Sequence, residues 1–478
     1  MSTSFNAGLG LLSMFIASGC ATMAPEYNRP ENVVSDSVSY SDAEDAKVNR
    51  LYDWEAVFPD PTLQLLIRTA LENNRDVRIA ALNVERARAT YQIQRSDSLP
   101  SIAANGGYTR QSIGENASSN GISSTTGSSI DIEQFSANAG VSAYELDLFG
   151  RVRSLNRQAL NTYLSTDEAR KSAEILLVSE VANAYLQLIA DQELLSIAID
   201  TAISQQDSLD LTNLRVENGI GTDLDVQRAT TSIERAKADV AILEAQTARD
   251  INALQLLLGV SSLPELKTDR KIDQLEIARV IPAGVNSEVL LNRPDVLAAE
   301  NRLIAANANI GAARAAFFPR ILLTANAGSA TADLSDLFSG GTGVWSFAPT
   351  VSLPIFTGGR NRAQLKGAKI DRDIAVSEYE KSVQTAFREV ADALATRNTI
   401  DARISATEKL ASAASSTFAL SEDRFENGID DYLAVLDAQR ADYAARQELV
   451  AVQLAEAVNV IEIFRALGGP VQHATLTN

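Results

Sequence analysis

RVENGI at residues 215–220 returns as RFENGI at 424–429, 209 residues further along a chain of 478. Such an echo raises the question of an internal repeat, which has to be settled before any secondary structure is read. Three more landmarks recur in the same order. NNRDV (73–77) returns as LNRPDV (291–296), Leu99-Pro100 as Phe318-Pro319, and ELDLFGRVR (145–153) as SLPIFTGGR (352–360). Length alone suggests about three domains. The ordered landmarks replace that with one unit written twice.

Each copy follows one plan. An Ala-rich helical segment comes first, at about 61–98 and again at about 294–317. A strand, a polar loop and a second strand follow, then a very long helix, a Gly-containing break and another long helix. The expected boundaries are 61–265 for the first repeat and 289–468 for the second. Its strands fall near 100–112 and 133–148, then near 320–331 and 344–354. The link around 262–288 contains prolines and mixed charge and is expected to be irregular, with 266–288 as an equatorial segment. Residues 20–60 read as an extended N-terminal segment and 469–478 as a tail.

The helices carry a coiled-coil pattern. In 222–258 one seven-residue row runs Val226, Ile233, Val240, Thr247, Leu254, with a companion row of Ala229, Ala236, Leu243, Asp250, Leu257. Thr247 and Asp250 are polar intrusions in one heptad of an otherwise apolar seam. The C-terminal helix repeats the row without a break: Leu436, Tyr443, Val450, Ala457, Phe464. Residues 150–214 lack Pro, and at ~1.5 Å per residue they would extend roughly 100 Å. A helix of that length must lie along other helices, as in a bundle or a helical cylinder.

The strands alternate. Phe135, Ala137, Ala139, Val141 and Ala143 interleave with polar or small residues, as do Trp345, Phe347, Pro349, Val351 and Leu353. A period of two over about ten residues suits a strand with one face on lipid and the other on water. Tyr108, Tyr144, Trp345 and Phe347 suit the bilayer interfaces. The connecting segments IGENASSNGISSTTGSSID (113–131) and DLFSGGTG (336–343) are polar loops. Four strands cannot close a barrel, and an open edge in hydrocarbon leaves backbone groups unpaired at several kcal/mol each. Either the strands form a soluble sheet or several copies share one barrel. Three copies would supply 12 strands, a workable membrane size, with 12 helices continuing as a tube.

Composition narrows the function. Net charge is −19, which argues against nucleic-acid binding. It suits either the solubility of long exposed helices or an acidic pore lining. One cysteine, Cys20, and one histidine, His473, allow no intrachain disulfide and no His/Cys metal site. The single His leaves no nucleophile–base pair, no Gly-rich phosphate loop follows a strand, and nothing places a carboxylate pair in an apolar pocket. No enzyme activity and no cofactor are expected.

Residues 10–19, GLLSMFIASG, form an apolar run too short to span a bilayer. The run ends at Ala17-Ser18-Gly19-Cys20, similar to a bacterial lipobox with Ala17 in the usual Leu position. Residues 1–19 then read as a signal peptide, and the Cys20 thiol as the site of a diacylglycerol. Ala21, rather than Asp, is compatible with sorting to the outer membrane.

Together these motifs resemble the outer membrane factor (TolC-like) family. The residues that carry the likeness are the lipobox, PEYNRPE (25–31), W-x-x-x-F-x-D-P (54–61), YELDLFGRVR (144–153), LNRPDV, FFP (317–319), SLPIFTGGR and RFENGIDDYLAVLDAQRA (424–441). Its lipoprotein branch, the NodT-like proteins of RND-type efflux systems, is the one resembled. The resemblance implies a mainly α fold with a small membrane β portion: a homotrimer with a 12-stranded β-barrel in the outer membrane and a 12-helix periplasmic barrel. It implies a passive exit duct for small toxic compounds, multidrug resistance as phenotype, and two partners: a periplasmic adaptor (membrane fusion) protein and an inner-membrane RND-type transporter. It also implies a tip gate near the second helix turn, carried onto Asp430 and Asp437, with Asp431 and Phe425 beside them. Asp430 could equally be a helix N-cap. Gly219 and Gly428 would serve the turns, with Arg215 and Arg424 as adaptor contacts. A TolC-type channel for type I protein secretion and a periplasmic coiled-coil adaptor are the rival readings.

Overall fold

The element order occurs twice in the computed structural model, which describes residues 22–31, 34, 37–39, 53–114, 118–119, 122–123, 130–263, 270–276, 284–286 and 290–469. The first pass is α1 (Pro61–Asn73), α2 (Arg75–Ser96), β1 (Ile102–Ile113), β2 (Ile130–Leu146), α3 (Arg151–Glu217) and α4 (Asp223–Leu258). The second is α5 (Pro294–Ala315), β3 (Arg320–Thr331), β4 (Gly343–Ser352), α6 (Arg360–Glu426) and α7 (Tyr432–Ala466). Both α3 and α6 have 67 residues, and neither contains proline. Left-handed glycines bracket the helices at matching points: Gly150 and Gly359, Gly219 and Gly428, Gly259 and Gly468, each pair 209 residues apart.

The helix expected at 61–98 is two helices. Asn74 breaks it with an extended ψ of 135° and caps α2, its Oδ1 accepting from Asp76 N and Val77 N at 2.8 and 3.1 Å. A backbone that needs a cap cannot also continue the preceding helix. The link near 262–288 contains a short 3₁₀ turn, Ile272–Gln274, and a strand, Gly284–Asn286, that pairs antiparallel with Ser37–Ser39.

Two compact units draw on interleaved pieces of the chain. One comprises Glu31–Val84, Thr166–Ala299 and Tyr379–Asn478. Its main core joins Phe58, Leu66 and Ile67 to Val178, Leu186 and Ile189 of α3, Leu254 and Leu258 of α4, and Ile461 and Phe464 of α7. Phe58 meets Phe464 edge-on, with ring centroids 5.5 Å apart. The other unit comprises the described residues of Met1–Pro30 with Glu85–Ser165 and Glu300–Glu378, and holds all four long strands.

Those strands form one antiparallel sheet in the order β1–β2–β3–β4. Ile102 faces Val141, Phe135 faces Thr331, and Arg320 faces Ser352. A bulge between Val141 and Tyr144 interrupts the alternation read through Ala143, which takes a φ of 55°. An extra residue there re-aims the strand end, the usual effect of a bulge. Glu145, just beyond it, is gripped by Arg151 at 2.8 and 2.7 Å and by Arg320 at 3.1 and 2.6 Å. Among the described residues β1 and β4 each pair on one side only, so the sheet has two free edges. Pro349 sits in β4, where an edge strand tolerates a missing N–H.

Candidate functional site

The turns that end α3 and α6 share one geometry. Gly219 N donates to Val216 O and Ile220 N to Arg215 O, both at 2.9 Å; Gly428 N donates to Phe425 O at 3.0 Å and Ile429 N to Arg424 O at 2.8 Å. This double bond pattern around a left-handed residue satisfies the last carbonyls of a helix, and glycine adopts it without strain. Gly219 and Gly428 are the left-handed residues of the two turns, with φ of 75° and 73°.

The return helices start differently. Thr222 caps α4 in a capping box, its Oγ1 accepting from Asp225 N at 3.3 Å while its own N–H donates to Asp225 Oδ2 at 3.2 Å. Before α7 the cap is Asp431, accepting from Ala434 N at 3.2 Å. The N-cap alternative for Asp430 is thereby corrected: α7 begins at Tyr432, so only the residue directly before it can cap. Asp430 instead receives Arg424 in a two-pronged ion pair, Nε at 2.6 Å and Nη2 at 2.9 Å. The guanidinium holds the Asp430 carboxyl below the usual carboxylate range. Arg424 and Asp430 thus engage each other across the turn.

Phe425 is buried at 6% exposure. Its ring packs 5.6 Å from Tyr432, with Ala229 and Val435 in the same cluster. Arg215 lies over it, the guanidinium carbon 4.5 Å from the ring centroid, and its Nη1 donates to Phe425 O at 3.2 Å. A cation stacked on a buried ring joins the two turns. Phe425 is a packing residue in this protomer, because burial keeps its ring from solvent. Asp437 is exposed on α7.

Two acidic groupings escaped sequence reading. Glu422 lies close to Glu426, Asp423 and Asp207, and burial first, then those charges, push its carboxyl up. Three of the four acids stand together in SEDRFE, a visible signal; Asp207 comes from α3. Farther along, Asp191 of α3 and Asp250 of α4 come within hydrogen-bonding reach, at 5% and 8% exposure. Burial, then Asp191, push Asp250 up to about 6. Gln187 donates to Asp191 at 3.0 Å and Gln246 to Asp250 at 2.9 Å. Nothing in the sequence places a carboxylate pair in an apolar pocket, and this pair is set by the register of α3 on α4, with the Gln187 and Gln246 amides beside it. Cys20 and His473 lie outside the described residues.

The "Outer membrane efflux protein" family model matches residues 66–260 and 285–469. The chain belongs to this family. It is similar to the probable efflux pump outer membrane protein TtgC of Pseudomonas putida, with 45% identity over 96% of this chain and 94% of that one. It is also similar to the outer membrane protein OprJ of Pseudomonas aeruginosa, with 41% identity over 97% and 95%. Among solved structures, the open state of the Neisseria gonorrhoeae MtrE outer membrane channel superposes with a TM-score of 0.85. That match has 37% identity and covers 96% of this chain and all of that one.

As an outer membrane efflux protein the chain has the TolC-like channel fold, resides in the outer membrane and serves as the outer-membrane channel component of an efflux pump. The resemblance read from PEYNRPE, LNRPDV and RFENGI is borne out. In this family the two free sheet edges acquire meaning, because a channel wall in hydrocarbon cannot end in unpaired backbone.

Proposed function

We propose that the chain is the passive exit duct of a tripartite pump, closed by assembly with two further copies of itself. Three four-stranded sheets give a 12-stranded barrel, and the four long helices of each copy give a 12-helix tube. The observation that supports this most directly is the sheet β1–β2–β3–β4 with both outer edges free among the described residues. The duct performs no chemistry and needs no cofactor; the work comes from an inner-membrane RND-type transporter, reached through a periplasmic adaptor. Small toxic compounds are the cargo. Cys20 carries a lipid, the two repeats span about 61–265 and 289–468, and 266–288 links them.

The paired turns form the periplasmic tip. Asp437 and Asp430 are the gate carboxylates, Asp430 held by Arg424, with Asp431 capping α7 and Phe425 supporting the turn from beneath. Gly219, Gly428 and Arg215 shape the surface that meets the adaptor. Packed carboxylates around a three-fold axis would repel unless hydrated or paired, so the closed state is easily tipped. Detergent-solubilised protein should migrate as a trimer in unheated gels and as a monomer after boiling. A monomer in both, with water solubility, would overturn the duct. In planar bilayers, Asp430→Ala with Asp437→Ala should raise closed-state conductance; unchanged conductance removes both from the gate.

A further inference from the structure

The segment from Thr22 to Pro30 has no regular secondary structure, yet it is fastened along α5. Arg29 donates to Glu300 from Nε at 2.8 Å and from Nη2 at 2.6 Å, and Tyr27 Oη donates to the same carboxylate at 2.9 Å. Asn307 Nδ2 donates to Pro25 O at 2.8 Å, and Arg314 Nη1 to Met23 O at 3.0 Å. The contacts climb α5 in order while the strap runs the opposite way. Met23, Ala24, Pro25 and Tyr27 are half-buried, and Thr22, Glu26, Asn28 and Arg29 are exposed, so one side of the strap lies against the protein.

The strap and the helix span similar lengths. From Glu300 to Arg314 the helix rises about 21 Å at ~1.5 Å per residue. From Arg29 to Met23 a fully extended chain reaches about 20 Å. The strap thus lies extended along α5, with the Arg29, Glu300 and Arg314 side chains bridging its ends to the helix. Gly311 is the notch that admits it: a Cβ there would stand 2.7 Å from Ala24 N and 2.9 Å from Ala24 Cα.

The strap ends at a groove of about 520 Å³ lined by Thr22, Met23, Ala24, Arg314, Phe317, Phe318 and Leu365. Phe317 and Phe318 remain more than a third exposed, although Phe318 stacks on Phe149 at 4.8 Å. These residues directly precede β3, so in the proposed duct they stand where helix gives way to membrane strand. Cys20 is two residues before Thr22, so their Cα atoms are at most about 7 Å apart.

We propose that this groove seats the acyl chains carried on Cys20, with the strap 22–30 as the tether that holds them against Phe317, Phe318 and Leu365. The proposal rests on the reading of Cys20 as lipid-modified. It makes the lipid a packing element at a fixed place on the protein, where a loose leash would let it wander through the leaflet. The exposed rings lose water to the acyl chains, and the gain scales with the apolar area covered.

The test labels cells with a palmitate analogue that carries a photoreactive diazirine, then irradiates membranes and maps cross-links in the purified full-length protein. Mass spectrometry of the Cys20 peptide first reports whether lipid is present. With lipid present, cross-links should concentrate in the tryptic peptides 315–320 and 363–366. The double variant Asn307→Ala, Arg314→Ala frees two strap carbonyls and, because it also removes the trypsin site at 314, reports the first peptide as 303–320. The combined yield from 303–320 should fall about tenfold against the same span of the parent protein, the loss expected from two hydrogen bonds. A lipidated Cys20 whose cross-links miss both peptides, or whose yield is unchanged in the double variant, overturns the groove while leaving lipidation standing. Cross-links at 315–320 that persist after Cys20→Ser assign the groove to bulk phospholipid. An unmodified Cys20 overturns both readings.

Discussion

NNRDV and LNRPDV share an Asn-Arg pair, but the two copies use opposite members of it. In the first copy Asn74 is buried and Arg75 exposed; in the second Asn292 is exposed and Arg293 buried. Each buried residue joins the start of a helix to the end of a distant one. Asn74 caps α2 and donates from Nδ2 to Leu257 O of α4 at 2.8 Å. Arg293 donates from Nη1 to Ala466 O of α7 at 2.6 Å, and binds Asp295 at 3.0 and 2.8 Å and Glu389 at 2.8 Å. The extra Pro294 starts α5 one residue later than the Asn-Arg pair alone would. Duplication has preserved the clasp and changed its chemistry from a neutral amide to a charge held by two carboxylates.

Replacing Arg293 with Ala should break the second clasp hardest. Its loss leaves Ala466 O without its donor and Asp295 and Glu389 without their cation, at about 2–4 kcal/mol because both acids stay partly in water. A large fall in the apparent Tm of solubilised protein is expected, and a change under about 1 kcal/mol would deny the clasp its place. The same position in the coiled coil offers a second contrast. Asp191 and Asp250 pair in the first copy, whereas 209 residues on stand Ile400 and Asn459. Asn459 donates to Ala393 O at 2.9 Å and brings no charge.

Asp250 is lifted to about 6 in the folded protein, above the value of about 3.9 expected in the unfolded chain. Between those values the folded state keeps a proton that the unfolded state has released. Stability should therefore fall as pH rises through that window, by on the order of 1–3 kcal/mol. Asp191 on α3 and Arg249 on α4 are the charged groups that act on it. Asp250→Asn should flatten this pH dependence and raise stability at pH 7. An unchanged slope would show that the two acids do not share a proton.

Asn74→Ala should cost less than Arg293→Ala, about 1–2 kcal/mol for a lost cap and one interhelical bond. Equal losses would mean that charge does not distinguish the two clasps. The smallest effect belongs to the turns: Gly219→Ala and Gly428→Ala should each cost about 1 kcal/mol, the penalty for a Cβ at positive φ. The two losses should match, since φ is 75° and 73°.

Features that repeat along the chain were legible. Heptad rows disclosed the helices, a period of two disclosed the strands, and RVENGI with RFENGI disclosed both turns. The strand read at 320–331 falls on β3, and the turn before 222 holds its Thr cap. Pairings between distant segments were not legible. Asp250 stood out as an intrusion, but its partner Asp191 depends on how two helices slide past each other. Asn74 breaks a helix by bonding to Leu257, 183 residues away. Phe425 is legible as part of the turn, but its enclosure by Arg215 and Tyr432 is not. Local chemistry writes elements into sequence; three-dimensional register decides which neighbours they meet.

The free edges of β1 and β4 also bear on biogenesis. Each offers a row of backbone donors and acceptors that water satisfies and hydrocarbon does not. In the proposed duct a lone copy entering the bilayer would forfeit many such bonds at once, so entry would wait on the other subunits. The unmet hydrogen bonds would then themselves count the copies and keep a half-built hole out of the membrane.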